Sequence, residues 1–300
     1  MRRELALKIL LSACLFFWPL LNGPAPANTF IAHDSFPGDT RSAVTIPGNP
    51  WRCVGKLSLP DHHFMTATLV GPDIILTAAH GLVKDGKLIP GSFIFRPDFG
   101  SPHNPTNDFA TVTHLWLGSL TPTRSECRHS DWAILRLDAP LGDAYGTVRV
   151  QDADATALAK NSRPYYIASY NRDFKHGAAA SWQTGCGFVA LDPHGYLLHD
   201  FSTDRGASGA PIFYFGGLDQ SARLVALNVA ELTWHDKTLY GIPFSTQVAN
   251  IAVASHEFFR TLKAILSRKD SSSGDPTVFG VAIPSGSLTS RPLPLRPNPG

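Results

Sequence analysis

Ser208 lies in a run of small residues, Gly206-Ala207-Ser208-Gly209-Ala210, which could expose a nucleophilic hydroxyl. Glycines around a serine suit a tight loop whose backbone N–H groups point at the atom that the hydroxyl attacks. An unaided serine hydroxyl is a poor nucleophile. It needs a histidine to take its proton and a carboxylate to orient that histidine.

Two other residues have the types that this chemistry requires. His80 ends the run Leu76-Thr77-Ala78-Ala79-His80, and Asp131 opens the strand-like residues 131–137. Taken singly, a histidine after an apolar run is more often a hydrogen-bonded core residue, and an aspartate before a strand is more often a turn residue. The order His80, Asp131, Ser208 is nevertheless a known order of a catalytic triad, and the conjunction favours catalysis.

The motifs T-A-A-H, D-W-A-I-L and G-A-S-G-A-P together resemble those of the chymotrypsin-like serine peptidases. The resemblance implies an all-β fold of two antiparallel six-stranded β-barrels with a C-terminal helix. It also implies that the chain is a serine endopeptidase acting on a protein or peptide substrate. Ser208 would attack the carbonyl, His80 would carry the proton, Asp131 would orient His80, and the N–H groups of Gly206 and Ser208 would form the oxyanion hole.

The amino-terminal residues have the pattern of a secretory signal. Arg2 and Arg3 precede an apolar stretch over 5–21, and Ala25-Pro26-Ala27 follows, which predicts a signal peptide over 1–27. Leu11-Ser12-Ala13-Cys14 also fits a lipoprotein cleavage box, although cleavage there would leave a strongly apolar segment at the mature amino terminus. No later segment is long and apolar enough to span a membrane. The sequence therefore predicts an exported bacterial protein, periplasmic or secreted, with no stable membrane insertion after cleavage.

Composition and β-rich segments suggest how the rest of the chain is organised. We expect an N-terminal or pro-segment over 28–50, a peptidase domain over 51–268 and a flexible Pro/Ser-rich tail over 269–300. Within the domain we expect barrel 1 over about 51–145, barrel 2 over about 146–250 and a closing helix over about 255–268. His256, Phe259, Leu262 and Ile265 should lie on or near one face of that helix. The predicted strands cover 53–57, 65–70, 74–77, 92–96, 110–116, 131–137, 165–168, 186–191, 196–201, 212–214, 224–229 and 238–243.

Charge and metal-ligand spacing argue against several other kinds of function. The formal net charge is +2, and the signal residues account for all of it, so the mature chain is near neutral. That balance, without a basic run with interleaved aromatics, gives no prediction of nucleic-acid binding. His62 and His63 read as part of a polar turn rather than a metal site, and the proposed chemistry needs no metal or cofactor.

Three cysteines, Cys53, Cys127 and Cys186, remain after the signal. An odd number in an oxidising compartment allows one disulfide and one free thiol, with three possible pairings. The chymotrypsin-like group commonly has a bridge around the catalytic histidine. Met65 and Gly81 resemble the two positions that it would join, so both halves are replaced together.

The resemblance is closest to the bacterial glutamyl-endopeptidase branch. Residues 199–209 resemble its D-x-S-T-x-x-G-x-S-G pattern, residues 169–173 are similar to its G-Y-P-x-D turn, and Asp39-Thr40-Arg41 is similar to its short D-R segment. The resemblance implies that Ser202 and Thr203 line the S1 pocket, which binds the residue before the scissile bond. Residues 225–231 would form the other side of that pocket.

The predicted pocket departs from the glutamyl pattern at one position. Asn228 stands where the branch has a histidine, and an asparagine can donate a hydrogen bond but carries no charge. Glu231 could attract a Lys or Arg side chain, but it also fits an exposed glutamate at a strand end.

Other classes of protein stay open at this point. A serine esterase of the α/β-hydrolase type would need G-x-S-x-G, which Ala210 breaks, and alternating strands and helices. A catalytically silent binding protein on the protease fold would have no need of all three triad residues. An enzyme of very narrow specificity would keep the triad and cleave one partner. The sequence makes no prediction of oligomeric state.

Overall fold

The computed structural model describes residues 36, 39–161, 164–216, 219–232, 249–267 and 279–282. The predicted signal peptide and the predicted strand over 238–243 lie outside these residues, as does most of the predicted tail. No helix among the described residues has the length and apolar character needed to cross a membrane.

The described residues form eighteen β-strands and three short α-helices. The strands are β1 (Ser42–Ala43), β2 (Val54–Ser58), β3 (Phe64–Leu69), β4 (Ile74–Thr77), β5 (Val83–Lys84), β6 (Lys87–Leu88), β7 (Ile94–Pro97), β8 (Ala110–Leu117), β9 (Ala133–Leu137), β10 (Arg149–Val150), β11 (Tyr166–Ser169), β12 (Ser181–Thr184), β13 (Phe188–Leu191), β14 (Leu197–His199), β15 (Pro211–Gly216), β16 (Ser221–Leu232), β17 (Ala249–Ala254) and β18 (Phe279–Ala282). The helices are α1 (Leu141–Tyr145), α2 (Ala155–Ala159) and α3 (His256–Ser267).

The first sheet closes into a six-stranded antiparallel barrel. Its strands run in the order β7-β2-β3-β4-β9-β8, and β8 returns to pair with β7. Alternate side chains point inward, so Leu57, Phe95 and Leu135 are fully buried in its core. The prediction of a closed barrel in the first half of the chain is therefore confirmed.

Strand β18 lies within residues 269–300, for which the sequence predicts a flexible tail. It pairs antiparallel with β8, and Phe279 lies opposite Leu117. β8 pairs with β7 only at Thr111 and Ala110, which leaves the far half of that edge open. β18 covers this half, and pairing an open strand edge satisfies its backbone N–H and C=O groups.

The second sheet has more strands than the six predicted. Its order is β1-β12-β11-β15-β16-β17-β14-β13, and β10 joins β16 as the one parallel pair among the described strands. The two sides that would complete the barrel, β12 and β13, are consecutive in the chain but are not paired. Gly185 lies between them with φ +82°, a conformation that interrupts a strand, so the sheet is open there.

Helix α3 matches the predicted closing helix, but its buried face is different. Phe258, Leu262 and Ile265 are buried, with the i, i+4, i+7 spacing of one helix face. His256, which we expected on that face, is exposed and its Nδ1 lies 2.9 Å from Asp152. Asp152 lies outside the helix, so the helix sequence gives no sign of this interaction.

Candidate active site

His80 and Asp131 meet because they flank two paired strands. Thr77, the last residue of β4, lies opposite Ala133, the first residue of β9, in an antiparallel pair. The chain just after β4 and the chain just before β9 therefore share one end of the barrel. Asp131 is 2% exposed, and its Oδ1 accepts hydrogen bonds from the N–H groups of Ala79 at 2.8 Å and His80 at 2.9 Å.

A continuous hydrogen-bonded chain joins Asp131, His80 and Ser208. Asp131 Oδ2 lies 2.9 Å from His80 Nδ1, and His80 Nε2 lies 2.9 Å from Ser208 Oγ. Because Nδ1 faces a carboxylate, the neutral imidazole carries its proton there and leaves Nε2 as the acceptor. The three residues that the sequence singled out are thus brought together in the arrangement that proton transfer from Ser208 requires.

The ionisation of His80 is set by two opposing effects. Burial favours the neutral imidazole and lowers its pKa, but the charge and hydrogen bond of Asp131 more than offset this, so the pKa is raised above 6.5. Glu231 also raises the pKa through its charge, and Arg128 lowers it. The imidazolium formed during proton transfer is therefore stabilised where it forms.

The Ser208 loop is tied to both sheets. The N–H of Thr66 in β3 donates to the Ser208 carbonyl at 3.0 Å, and the N–H of Gly209 donates to the Asn228 carbonyl in β16 at 2.7 Å. Gly209 has φ +80°, and a Cβ there would lie 2.1 Å from Thr77 Oγ1. Only glycine fits this position, which holds Ser208 between the two sheets.

Gly206 has the geometry expected of an oxyanion-hole residue. Its φ is +100°, and a Cβ would lie 2.2 Å from the ring of Phe64 and 2.7 Å from the carbonyl of Tyr170. Ala207 N–H donates to the Asp204 carbonyl at 2.9 Å. Within the part of the chain that the structure describes, the N–H groups of Gly206 and Ser208 have no protein acceptor. Both are available to an oxyanion.

The residues predicted for the specificity pocket are found beside this loop. Ser202, Thr203 and Asn228 are buried, whereas Glu231 is exposed on β16. The Ser202 N–H donates to Gln183 Oε1 at 2.8 Å, and its Oγ accepts a 3.3 Å hydrogen bond from the N–H of Phe36.

His199 is a buried partner of the pocket that sequence reasoning did not select. Its Nε2 lies 3.1 Å from Asn228 Oδ1, while Asn228 Nδ2 donates to the Ala207 carbonyl at 3.1 Å. Burial lowers the pKa of His199 to about 3, so the ring is neutral and donates from Nε2. Neither Asn228 nor His199 places a positive charge at the pocket.

Met65 and Gly81 lie side by side at the two positions of the bridge that the chymotrypsin-like group commonly has around the catalytic histidine. A Cβ on Gly81 would lie 2.2 Å from Met65 Sδ, so the methionine side chain fills the space between the two positions.

Cys53, Cys127 and Cys186 are all free thiols, without the disulfide that their number allowed. Burial raises the pKa values of Cys53 and Cys186 to about 12, which makes both thiols unreactive.

The segment before the first barrel is anchored close to the serine loop. The side chain of Arg41 is 5% exposed and makes a two-pronged ion pair with Asp173, through Nη1 at 2.9 Å and Nη2 at 2.6 Å, beside a contact with Asp39. The N–H of Asp173 donates to Asp204 at 2.9 Å. Arg41 is thereby linked to the stretch that carries Ser208.

No group of three or more His, Cys, Asp or Glu side chains among the described residues is placed to hold a metal ion. The arrangement at Ser208 brings together a hydroxyl, an imidazole, a carboxylate and two backbone N–H groups, which are the groups that acyl transfer by a serine uses.

Comparison with known proteins connects this geometry to a family. The trypsin family model matches residues 42–186, a range that contains His80 and Asp131 and ends before Ser208. No curated protein sequence matches the chain.

Two solved structures are similar to the chain. A Glu endopeptidase determined in complex with MPD is 16% identical, covers 78% of this chain and 99% of its own, and has a TM-score of 0.60. The protease Anisep from Arthrobacter nicotinovorans is 19% identical, covers 70% of this chain and 92% of its own, and has a TM-score of 0.47. The first similarity shows that the fold is shared.

Proposed function

We propose that this chain is a chymotrypsin-like serine peptidase and that it acts as an exported endopeptidase through His80, Asp131 and Ser208. The observation that carries the proposal is the chain of two 2.9 Å hydrogen bonds from Asp131 through His80 to Ser208 Oγ. A binding protein would have no use for a serine held in this way.

The proposed reaction has two acyl-transfer steps. Ser208 Oγ attacks the peptide carbonyl while His80 Nε2 takes its proton, and Asp131 stabilises the resulting imidazolium. His80 then donates the proton to the leaving amine, and an acyl-enzyme remains on Ser208. A water molecule, deprotonated by His80, releases the acyl group and restores the enzyme.

The backbone of the serine loop would stabilise the charge that develops in both steps. The N–H groups of Gly206 and Ser208 are the proposed oxyanion donors, and a missing donor of this kind typically reduces kcat by about 10²–10³-fold. Ser202, Thr203 and Asn228 would line the pocket for the residue before the scissile bond. Because the Asn228–His199 pair is neutral, the pocket should favour an uncharged residue, polar or apolar, before the scissile bond rather than a glutamate.

Export is proposed from the sequence pattern of residues 1–27. Processing after Ala27 would leave Asp39, Arg41 and the rest of the described segment in the mature enzyme. Sequencing the amino terminus of protein recovered outside the cytoplasm tests this part of the proposal.

Mass spectrometry of the protein after treatment with a fluorophosphonate tests the triad. We expect one adduct on Ser208, lost in Ser208→Ala and retained in Ser267→Ala, which removes an exposed hydroxyl at the end of α3. A correctly processed, folded protein that takes no adduct would refute the proposed activity. An adduct together with hydrolysis of esters but not of peptides would favour an esterase instead.

A further inference from the structure

A row of paired residues leads from the serine loop across the outer face of the first barrel. Thr66 in β3 lies opposite Lys56 in β2, which lies opposite Arg96 in β7. Directly paired residues project to the same face of a sheet. Thr66 Oγ1 donates to the Gly206 carbonyl at 2.8 Å, so the row begins at the proposed oxyanion loop.

The two cations in this row face each other without an acidic partner. Like charges directly across a strand pair are destabilising. Burial lowers the pKa of both Lys56 and Arg96, and the charge of Arg96 lowers that of Lys56 further. In the described part of the chain neither side chain makes an ion pair with a carboxylate. The fold therefore keeps an electrostatically unfavourable pair at this place.

Neutral groups hold both side chains in position while leaving them partly exposed. Lys56 Nζ donates to the Gly177 carbonyl at 2.8 Å and lies 4.1 Å from the ring centre of Phe64 and 5.0 Å from that of Phe99. Arg96 lies over the ring of Phe109. These contacts leave N–H donors of both groups free to bind an anion.

The position of the pair relative to Ser208 indicates which part of a substrate it would meet. The Ser208 loop is hydrogen-bonded to Asn228 on one side and to Thr66 on the other. The family resemblance implies that the acyl part of a substrate lies along residues 225–231 of β16, so we infer that the part after the scissile bond leaves on the other side of the loop, towards β3. Phe64 opens β3, approaches Gly206 closely and contacts Lys56. Lys56 is thus reached on the leaving-group side.

We propose that Lys56 and Arg96 form a cationic subsite that binds an acidic side chain of the substrate about two to four residues after the scissile bond, the reach of an extended chain across two strands. The proposal rests on the proposed peptidase activity. An Asp or Glu side chain would neutralise the repulsion between the two cations, and both would donate hydrogen bonds to its oxygens. Selectivity would then come from residues after the cut as well as from the pocket before it.

Cleavage-site profiling of a mixed peptide library by mass spectrometry tests the proposal whichever residue the enzyme prefers before the cut. The wild type is compared with Lys56→Gln, Arg96→Gln and the double variant, and with Arg260→Gln and Lys263→Gln, which remove exposed cations from α3. A Ser208→Ala sample identifies background cleavage. We expect Asp and Glu to be enriched about fivefold over Asn and Gln at these positions, as for a partly exposed ion pair.

The enrichment should fall in either Lys56 or Arg96 variant, disappear in the double variant and persist in both helix variants. It should also weaken between about 0.15 M and about 1 M salt, because the screening length falls from about 8 Å to about 3 Å. Ser208-dependent cleavage with no acidic enrichment, or an enrichment that survives the double variant, would overturn this inference alone. The absence of any Ser208-dependent cleavage would overturn the proposed function and the subsite with it.

Discussion

At the scale of single residues, the carboxylate of Asp131 controls the ionisation of His80. His80 can accept the Ser208 proton only when it is neutral, so we expect kcat/KM to rise with pH through a pKa above 6.5. Asp131→Asn removes the charge that raises this pKa while burial remains. The inflection should therefore move to lower pH, and kcat should fall by about 10⁴-fold.

Measurement of kcat/KM against pH in the wild type and in Asp131→Asn checks this expectation. Asp138→Asn is a suitable control, because Asp138 accepts a backbone hydrogen bond at the far end of β9, away from His80. An inflection that moves to higher pH in Asp131→Asn would contradict the role assigned to its charge.

Gly206 gives a second prediction at the same scale. In Gly206→Ala the new Cβ would meet Phe64 and the Tyr170 carbonyl, so the loop must move and the Gly206 N–H with it. We expect kcat to fall by about 10²–10³-fold with a smaller change in KM. Gly195→Ala is the matched control, since Gly195 has φ +82° but has nothing within 4 Å of the new Cβ. A similar loss of kcat in both variants would trace the effect to general backbone strain.

These residues also show how far the sequence alone reaches. That Ser208, His80 and Asp131 lie together could be predicted, because each is in a short motif that is visible locally in the sequence. The Asn228–His199 pair could not, since it joins residues on β16 and β14, between which β17 lies, and depends on the packing of the folded sheet. The opposition of Lys56 and Arg96 likewise depends on strand register, which composition does not reveal.

At the scale of secondary-structure elements, local patterns predicted the positions of the first-barrel strands along the chain, but they did not predict what covers the strand edges. β18 could not be predicted because its short apolar run stands in a Pro/Ser-rich context, and its partner is the uncovered half of β8. β17 and β12 were missed as well. β17 is buried at all six positions and so lacks the alternation typical of a half-exposed strand.

The Arg41 segment gives a prediction at this scale. Hydrogen bonds to Asp173 and Asp39 raise the pKa of Arg41 against the opposing effect of burial, so the guanidinium stays charged. Arg41→Gln would leave Asp173 and Asp39 without their cation. Asp39 and Asp173 are exposed residues, and a partly exposed ion pair typically contributes about 1 kcal/mol or less. We expect a lower free energy of unfolding and, because Asp173 contacts Asp204, a slower reaction of Ser208 with fluorophosphonate.

Urea denaturation and labelling kinetics measure the two effects. Arg172→Gln removes an exposed arginine from the same loop as Asp173 and should change neither. An Arg41→Gln protein with wild-type stability would show that the segment is not held by this ion pair.

At the scale of the whole molecule, the proposed activity depends on two sheets that each carry part of the candidate site. His80 and Asp131 flank strands of the first barrel, whereas Ser208 precedes β15 in the second sheet. Trp51 packs where these parts meet: it is 5% exposed, and its ring lies 5.4 Å from that of Phe213 and 5.5 Å from that of Trp182. Trp51 directly precedes β2 of the first barrel, so its packing against Phe213 and Trp182 joins that barrel to the second sheet.

Trp51→Ala should weaken stability and catalysis together. Truncating a buried tryptophan typically costs about 3–5 kcal/mol, and the cavity would lie between the two sheets rather than within one. We expect a lower Tm and, at temperatures where the protein is still folded, a reduced kcat with slower labelling of Ser208. Trp116→Ala is the control, because Trp116 is a half-buried residue of β8 that contacts Arg136 within the first barrel. It should lower Tm less and leave kcat of the folded protein unchanged. If Trp51→Ala lost stability but kept full kcat when folded, each sheet would hold its part of the site without the other's packing.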